Sequence, residues 1–122
     1  VPQYSDIRSR SEIDISTDLG KTIELQLPVI ASPMDTISEG AMASAMGRVG
    51  GCAIIHRYNT IEEQASELKR VATPTIAGAA IGISGDYIER ASALVDAGAS
   101  FLCIDVAHGH HIMMKEALWE LR

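Results

Sequence analysis

The sequence predicts an α/β fold built on a parallel sheet. Three observations carry the prediction. Strand-like apolar runs begin at Pro28, Cys52, Ile76 and Phe101, about 24 residues apart. Each run is followed by a loop, a helical pattern and, for the first three, a Gly or Pro stop. The runs are continuously apolar rather than alternating, as expected of strands buried on both faces. Right-handed crossovers between such strands bring every strand-to-helix loop to one end of the sheet. Two architectures satisfy this pattern: an open doubly wound sheet, or part of an eightfold β/α barrel. A whole barrel takes about 250 residues, so the 122 residues here hold about four of its units. No GxGxxG follows the first strand, which weakens the dinucleotide-fold form of the open sheet.

Residues 1–27 are the least regular part and read as an N-terminal arm. Within it Thr22 to Leu27 alternates, the pattern of a half-exposed hairpin strand that would cover one end of a barrel. Residues 28–122 hold the repeated units. Pro28 to Ala31 is the first strand and Ser32 to Thr36 its loop. Ser38 is placed to cap a helix running to about Val49, with Met42, Ala45, Met46 and Val49 on one face. One glycine of Gly50-Gly51 is expected in the left-handed position that ends it. Cys52 to Ile55 is the second strand, and Thr60 with Glu63 forms a capping-box pattern. Its helix would bury Ile61, Ala65, Leu68 and Val71, and Pro74 ends the connection. Ile76 to Ile81 is the third strand, rich in small residues, which implies close approach by a ligand or by neighbouring strands. Asp86 with Glu89 repeats the capping pattern. Ile88, Ala91, Leu94 and Val95 make the apolar face, and Gly98 stops the helix. The fourth unit is Phe101 to Ile104, a loop, and a helix from about His111 to Leu121.

Composition narrows the function classes. Net charge is −6, so no basic footprint points to nucleic acid. That balance still admits anionic small ligands, which backbone N–H groups at helix N-termini can hold. No apolar stretch approaches the ~18 residues of a membrane span. Cys52 and Cys103 sit inside apolar runs, so they read as small hydrophobes in a reducing compartment, the cytoplasm. The start at Val1-Pro2-Gln3, without Met, suggests a trimmed or partial chain.

If the strands are parallel, four loops converge. They carry Ser32, Met34, Asp35 and Thr36; then His56, Arg57, Tyr58 and Asn59; then Gly82, Ser84 and Gly85; then Asp105 and His108. Asp35 and Asp105 form a candidate acid–base pair. The simpler alternative is helix N-terminal charge and loop hydrogen bonding. His108-Gly109-His110-His111 raises a metal hypothesis, but no Cys or Glu stands at a recognised spacing and no HxxxH is present, so no metal ligands are assigned. Met113 and Met114 read as core and rim.

These residues resemble a known family. Leu27-Pro28-Val29-Ile30-Ala31-Ser32-Pro33-Met34-Asp35-Thr36-Ile37-Ser38-Glu39 is similar to the first barrel strand and loop of the IMP dehydrogenase/GMP reductase family. Gly50 to Arg57 resembles its second strand, Gly78 to Gly82 its third, and Ile104 to His110 its fourth. Val1-Pro2-Gln3-Tyr4-Ser5 resembles its N-terminal arm. The resemblance runs through essentially the whole chain in order. It implies a (β/α)8 TIM barrel, of which this chain supplies about the first four β/α units plus the arm. It implies a purine nucleotide substrate, IMP or a relative, and a nicotinamide cofactor. By position, Ser32 and Met34 would line the nucleotide pocket. Asp105 would hydrogen-bond the nicotinamide ribose, with Val106 and Ala107 beside the cofactor. Arg57 would stand near the adenine end, where its planar guanidinium can stack. Ser84 would contact the cofactor from the third loop.

Three departures qualify the match. The family's nucleophilic cysteine lies on a later loop, beyond residue 122, so no catalytic residue is assigned and this chain alone is expected to be inactive. Val71-Ala72-Thr73-Pro74 joins the second helix directly to the third strand, where many IMP dehydrogenases insert a regulatory domain. The fourth loop is mixed: Asp105-Val106-Ala107 resembles GMP reductase, whereas His108-Gly109-His110 resembles IMP dehydrogenase. The leading expectation is NAD-dependent oxidation of IMP to XMP through a covalent cysteine adduct. The alternatives are NADPH-dependent deamination of GMP and a non-catalytic half-barrel. The resemblance also implies a homotetramer, a potassium ion on the missing half, and a partner half that closes the barrel.

Overall fold

The N-terminal arm folds as a hairpin. The structure is a computed structural model that describes residues 3–20 and 22–122; Val1 and Pro2 of the arm motif lie outside them. Strand β1 (Thr17–Leu19) pairs antiparallel with β2 (Ile23–Leu25). Leu25 is the buried anchor of the hairpin. Beyond it, the Leu27 N–H donates to the Gly50 carbonyl at 2.9 Å, tying the arm to the first repeated unit.

The apolar runs become β3 (Ile30–Ala31), β4 (Cys52–Ile55), β5 (Ala77–Ile81) and β6 (Phe101–Ile104). The intervening helices are α1 (Gly40–Arg48), α2 (Ile61–Lys69) and α3 (Tyr87–Asp96), with α4 (Ile112–Glu120) after the last strand. The four strands are parallel and lie in the order β3-β4-β5-β6. A doubly wound sheet reverses its strand order part-way. Here the order advances steadily from edge to edge, and α1, α2 and α3 pack against one another in succession. The arrangement is a mixed α/β fold whose parallel sheet is consistent with part of a β/α barrel.

Alternate strand residues face the helices. Ala53 and Ile55 of β4 and Ala77, Ala79 and Ile81 of β5 form the core with Ala43 of α1, Leu68 of α2 and Ala91 and Leu94 of α3. Each large aliphatic side chain buried there contributes about 1.5–3 kcal/mol. The small residues of β5 serve neighbouring strands. The Phe101 ring of β6 lies over Gly78, so closely that a side chain at 78 would overlap it.

The helix ends divide into those the sequence pattern anticipates and those it does not. Thr60 and Glu63 make the reciprocal capping box. Gly50 and Gly98 take positive φ at the ends of α1 and α3. After α3, the Ala99 N–H reaches the Leu94 carbonyl and the Gly98 N–H reaches that of Val95, the paired bonds of a Schellman turn. Ser38 does not cap α1. Its hydroxyl donates to the Ser32 carbonyl instead, and the helix starts at Gly40, whose N–H donates to Glu67 Oε2 of α2 at 3.0 Å. Asp86 precedes α3 but makes no cap, because Arg90 takes its carboxylate. The buried stripes also sit differently from the expected apolar faces. Val49, Ile88 and Val95 are exposed. On α3 the sheet-facing stripe runs through Arg90, Ala91 and Leu94, which leaves Ile88 and Val95 on a flank.

Candidate functional site

Three loops at the carboxyl ends of β4, β5 and β6 enclose a cleft of about 380 Å³. Arg57 comes from the first loop, Gly82, Ile83 and Ser84 from the second, and Asp105, Val106, Ala107 and His108 from the third. His111 and Met113, at the start of α4, complete the lining. The sheet positions Asp105 directly. Its N–H donates to the Ile81 carbonyl at 2.9 Å, extending the β5–β6 ladder one residue past the strand.

Arg57 reaches across the end of β5 to Asp105, 48 residues away in sequence. Its Nε donates to Asp105 Oδ2 at 3.4 Å and its Nη2 donates to the Asp105 carbonyl at 3.1 Å. Both side chains are about one-third exposed, so the pair is neither sealed nor fully solvated. Asp105 Oδ1 accepts no hydrogen bond among the described residues. The Arg57 guanidinium carbon also lies 5.7 Å from the centre of the Tyr58 ring. The cleft thus presents a carboxylate with one free oxygen beside a guanidinium, walled by the small apolar pair Val106 and Ala107.

The five residues assigned to the cofactor meet here, Arg57, Ser84, Asp105, Val106 and Ala107, together with the loop candidates Gly82 and His108. Ser32 and Met34 do not. They lie on the loop after β3, where the Met34 carbonyl accepts the Ile37 and Ser38 N–H groups in a tight turn. Asp35 and Asp105 line different clefts, so they do not face each other as an acid–base pair. Asp35 joins Glu39, His56, Tyr58, Asn59, Glu63 and Glu67 around a second space of about 300 Å³. His56 is buried there, with Nε2 3.4 Å from Glu39 Oε1 and 3.9 Å from Asp35 Oδ1. Its Nδ1 accepts the Tyr58 N–H at 3.2 Å, which leaves the Nε2 proton to face the carboxylates.

The histidine run acts on its own backbone. His108 Nδ1 accepts the His110 N–H, and His111 Nδ1 caps α4 by accepting the Met113 N–H at 3.2 Å. Among the described residues no three His, Cys, Asp or Glu side chains converge in a metal-binding group. The cysteines are not activated. Burial pushes the thiols of Cys52 and Cys103 above their usual range, and the Asp105 charge adds to the shift at Cys103. A larger depression of about 680 Å³ runs along α4 past Leu118 and Trp119, on the helix surface rather than at the junction of the strand-end loops.

A buried polar node beneath the loops went unread in the sequence. Gln64 is fully buried and its Nε2 donates to the carbonyls of Ile55, at 3.2 Å, and Ala80, at 2.9 Å. Arg90 Nη1 donates to Gln64 Oε1 at 2.8 Å, and its Nη2 reaches the Asn59 carbonyl and, at 2.8 Å, Asp86. The node therefore joins the ends of β4 and β5 to α2, α3 and the loop after β4. Helical spacing carries a signal for it: Gln64 lies four residues before the buried Leu68, and Arg90 four before the buried Leu94.

The model of the IMP dehydrogenase / GMP reductase domain matches residues 1–122. The inosine-5'-monophosphate dehydrogenase of Nitrosopumilus maritimus (strain SCM1) is 51% identical over 71 residues, covering 58% of this chain and 15% of the relative. That of Cryptosporidium parvum is 31% identical over 166 residues, covering all of this chain and 41% of the relative. The GMP reductase of Leishmania donovani is 44% identical over 71 residues, covering 58% of this chain and 14% of the relative. This chain thus spans less than half the length of each of these relatives. Because the family model runs through its full length, the chain belongs to the IMP dehydrogenase/GMP reductase family.

Proposed function

We propose that these residues are the first four β/α units and N-terminal arm of a (β/α)8 barrel that oxidises IMP to XMP with NAD. In this reading residues 1–27 are the arm and residues 28–122 half of the catalytic barrel. No regulatory domain interrupts the link from Val71 to β5. The single observation that carries the reading is the convergence of Arg57, Ser84, Asp105, Val106 and Ala107 on one strand-end cleft, in a chain that matches the family throughout. A carboxylate with one free oxygen suits a ribose diol, and the apolar pair beside it suits a planar ring.

The nicotinamide cofactor, when bound, supplies a hydride acceptor. This chain's part is to hold and orient it. Asp105 accepts hydrogen bonds from the ribose with Arg57 beside it, while Ser84 borders the rest of the dinucleotide. Ser32 and Met34 shape the purine nucleotide site from the neighbouring loop. The reaction passes through a covalent cysteine adduct whose cysteine lies outside these residues; the raised thiols of Cys52 and Cys103 support that placement. The same reading gives the protein a cytoplasmic location, a homotetrameric state, a second half of the barrel and a potassium ion held by that half.

A second reading is NADPH-dependent reduction of GMP. Val106 and Ala107 favour it, because Asp105-Val106-Ala107 resembles the GMP reductase form of this loop. A non-catalytic half-barrel is the third, and the exposed Leu118 and Trp119 argue that α4 has a surface left to cover. Full-length protein incubated with IMP and NAD, and separately with GMP and NADPH, decides among them. XMP and NADH are expected from the first pair. Product from the second pair alone overturns the dehydrogenase reading, and product from neither supports the non-catalytic one.

A further inference from the structure

We infer that Arg57 is a positioning residue that acts through Asp105, not an independent contact to the cofactor. The inference rests on the dinucleotide reading of the cleft and says how that site is kept in shape. Two donors of one guanidinium edge hold two different parts of Asp105: Nε the carboxylate, Nη2 the backbone carbonyl. A single bond to the carboxylate would leave it free to turn. The second bond fixes the Asp105–Val106 peptide as well, and with it the start of the apolar wall.

The geometry also explains why the residue is arginine. The hold is a two-point grip with donors at fixed separation, which a planar guanidinium offers and an ammonium does not. The edge that grips Asp105 is unavailable to a ligand while the pair stands. Tyr58 lies 5.7 Å from the guanidinium carbon and confines it further. Arg57 bridges from the loop after β4 to the residue after β6, passing the end of β5. It thereby fixes the spacing of the loops that form the cleft. Asp105 keeps Oδ1 free, so the carboxylate is oriented without being used up.

The test is a double-mutant cycle in the full-length protein, read as KM for the dinucleotide and kcat separately. The variants are Arg57→Ala, Asp105→Ala and both together. Each single change is expected to raise the dinucleotide KM by about tenfold. The double variant should be no worse than Asp105→Ala to within about twofold, because Arg57 has nothing left to position. Arg57→Lys should recover little of the loss, since it restores charge without the two-point grip. Thermal unfolding of each variant identifies a failure to fold, and Arg57→Gln then takes the place of Arg57→Ala. Losses that multiply in the double variant overturn the inference, as does full recovery by lysine. If the wild-type protein turns over with neither NAD nor NADPH, the dinucleotide reading has failed and takes this inference with it. An active wild type whose losses multiply removes the Arg57 assignment alone.

Discussion

Two arginines, Arg57 and Arg90, both tie the loop after β4 to a later unit, yet they sit in opposite environments. Arg90 is 8% exposed, and its guanidinium bonds to Gln64, Asn59 and Asp86. Arg57 is about one-third exposed and grips a single residue. The buried arginine makes four hydrogen bonds to protein partners, which makes it part of the scaffold. The open one borders a cleft and leaves a carboxylate oxygen available. Depth and completeness of bonding, not residue type, separate the group that holds the fold from the group that shapes the site.

The largest expected effect breaks the buried side of the comparison. Arg90→Ala leaves the buried Gln64 Oε1 and the Asn59 carbonyl without their donor, and should cost about 3 kcal/mol in chemical denaturation. Gln64→Leu should cost a similar amount, because the carbonyls of Ile55 and Ala80 lose the same donor. Arg57→Ala should move stability by less than about 1 kcal/mol, as befits a partly exposed pair. A stability loss at Arg57 as large as that at Arg90 would erase the distinction.

A smaller effect is expected at the helix cap. Thr60→Ala removes the hydroxyl that accepts the Glu63 N–H, while the backbone N–H at position 60 can still donate to Glu63, for a loss of about 1 kcal/mol. The smallest is electrostatic. Hydrogen bonding from Arg90 holds the Asp86 carboxyl below its ordinary value of 3.8. A depressed carboxylate stabilises the fold above that ordinary value and loses its contribution as pH falls through the folded value. Asp86→Asn should therefore lower the melting temperature slightly at pH 7, with the gap to wild type closing as pH falls below about 3.8. A gap that widens on acidification would contradict the assignment.

Much of this architecture is legible in the sequence because it rests on local patterns. The second and fourth apolar runs match β4 and β6 residue for residue, since each is unbroken and bounded by a glycine or polar residue on either side. Thr60 and Glu63 are read correctly because their partners lie within one turn. Asp86 shows the limit of the same rule. Its spacing to Glu89 satisfies the capping pattern, but Arg90 competes for the carboxylate and wins. Gln64 and Arg90 were hidden because their residue types are usually exposed. Only their register with Leu68 and Leu94 betrays them. The Arg57–Asp105 pair joins residues on two separate units, and no local pattern encodes it.

We propose that the cleft at the ends of β4, β5 and β6 holds the dinucleotide of a purine nucleotide oxidoreductase. Its most direct test is the initial rate of full-length wild type and Asp105→Ala with IMP and NAD, each substrate varied in turn. The expected result is a dinucleotide KM raised about tenfold by the substitution, with the KM for IMP little changed. A raised KM for IMP with an unmoved KM for NAD would contradict it.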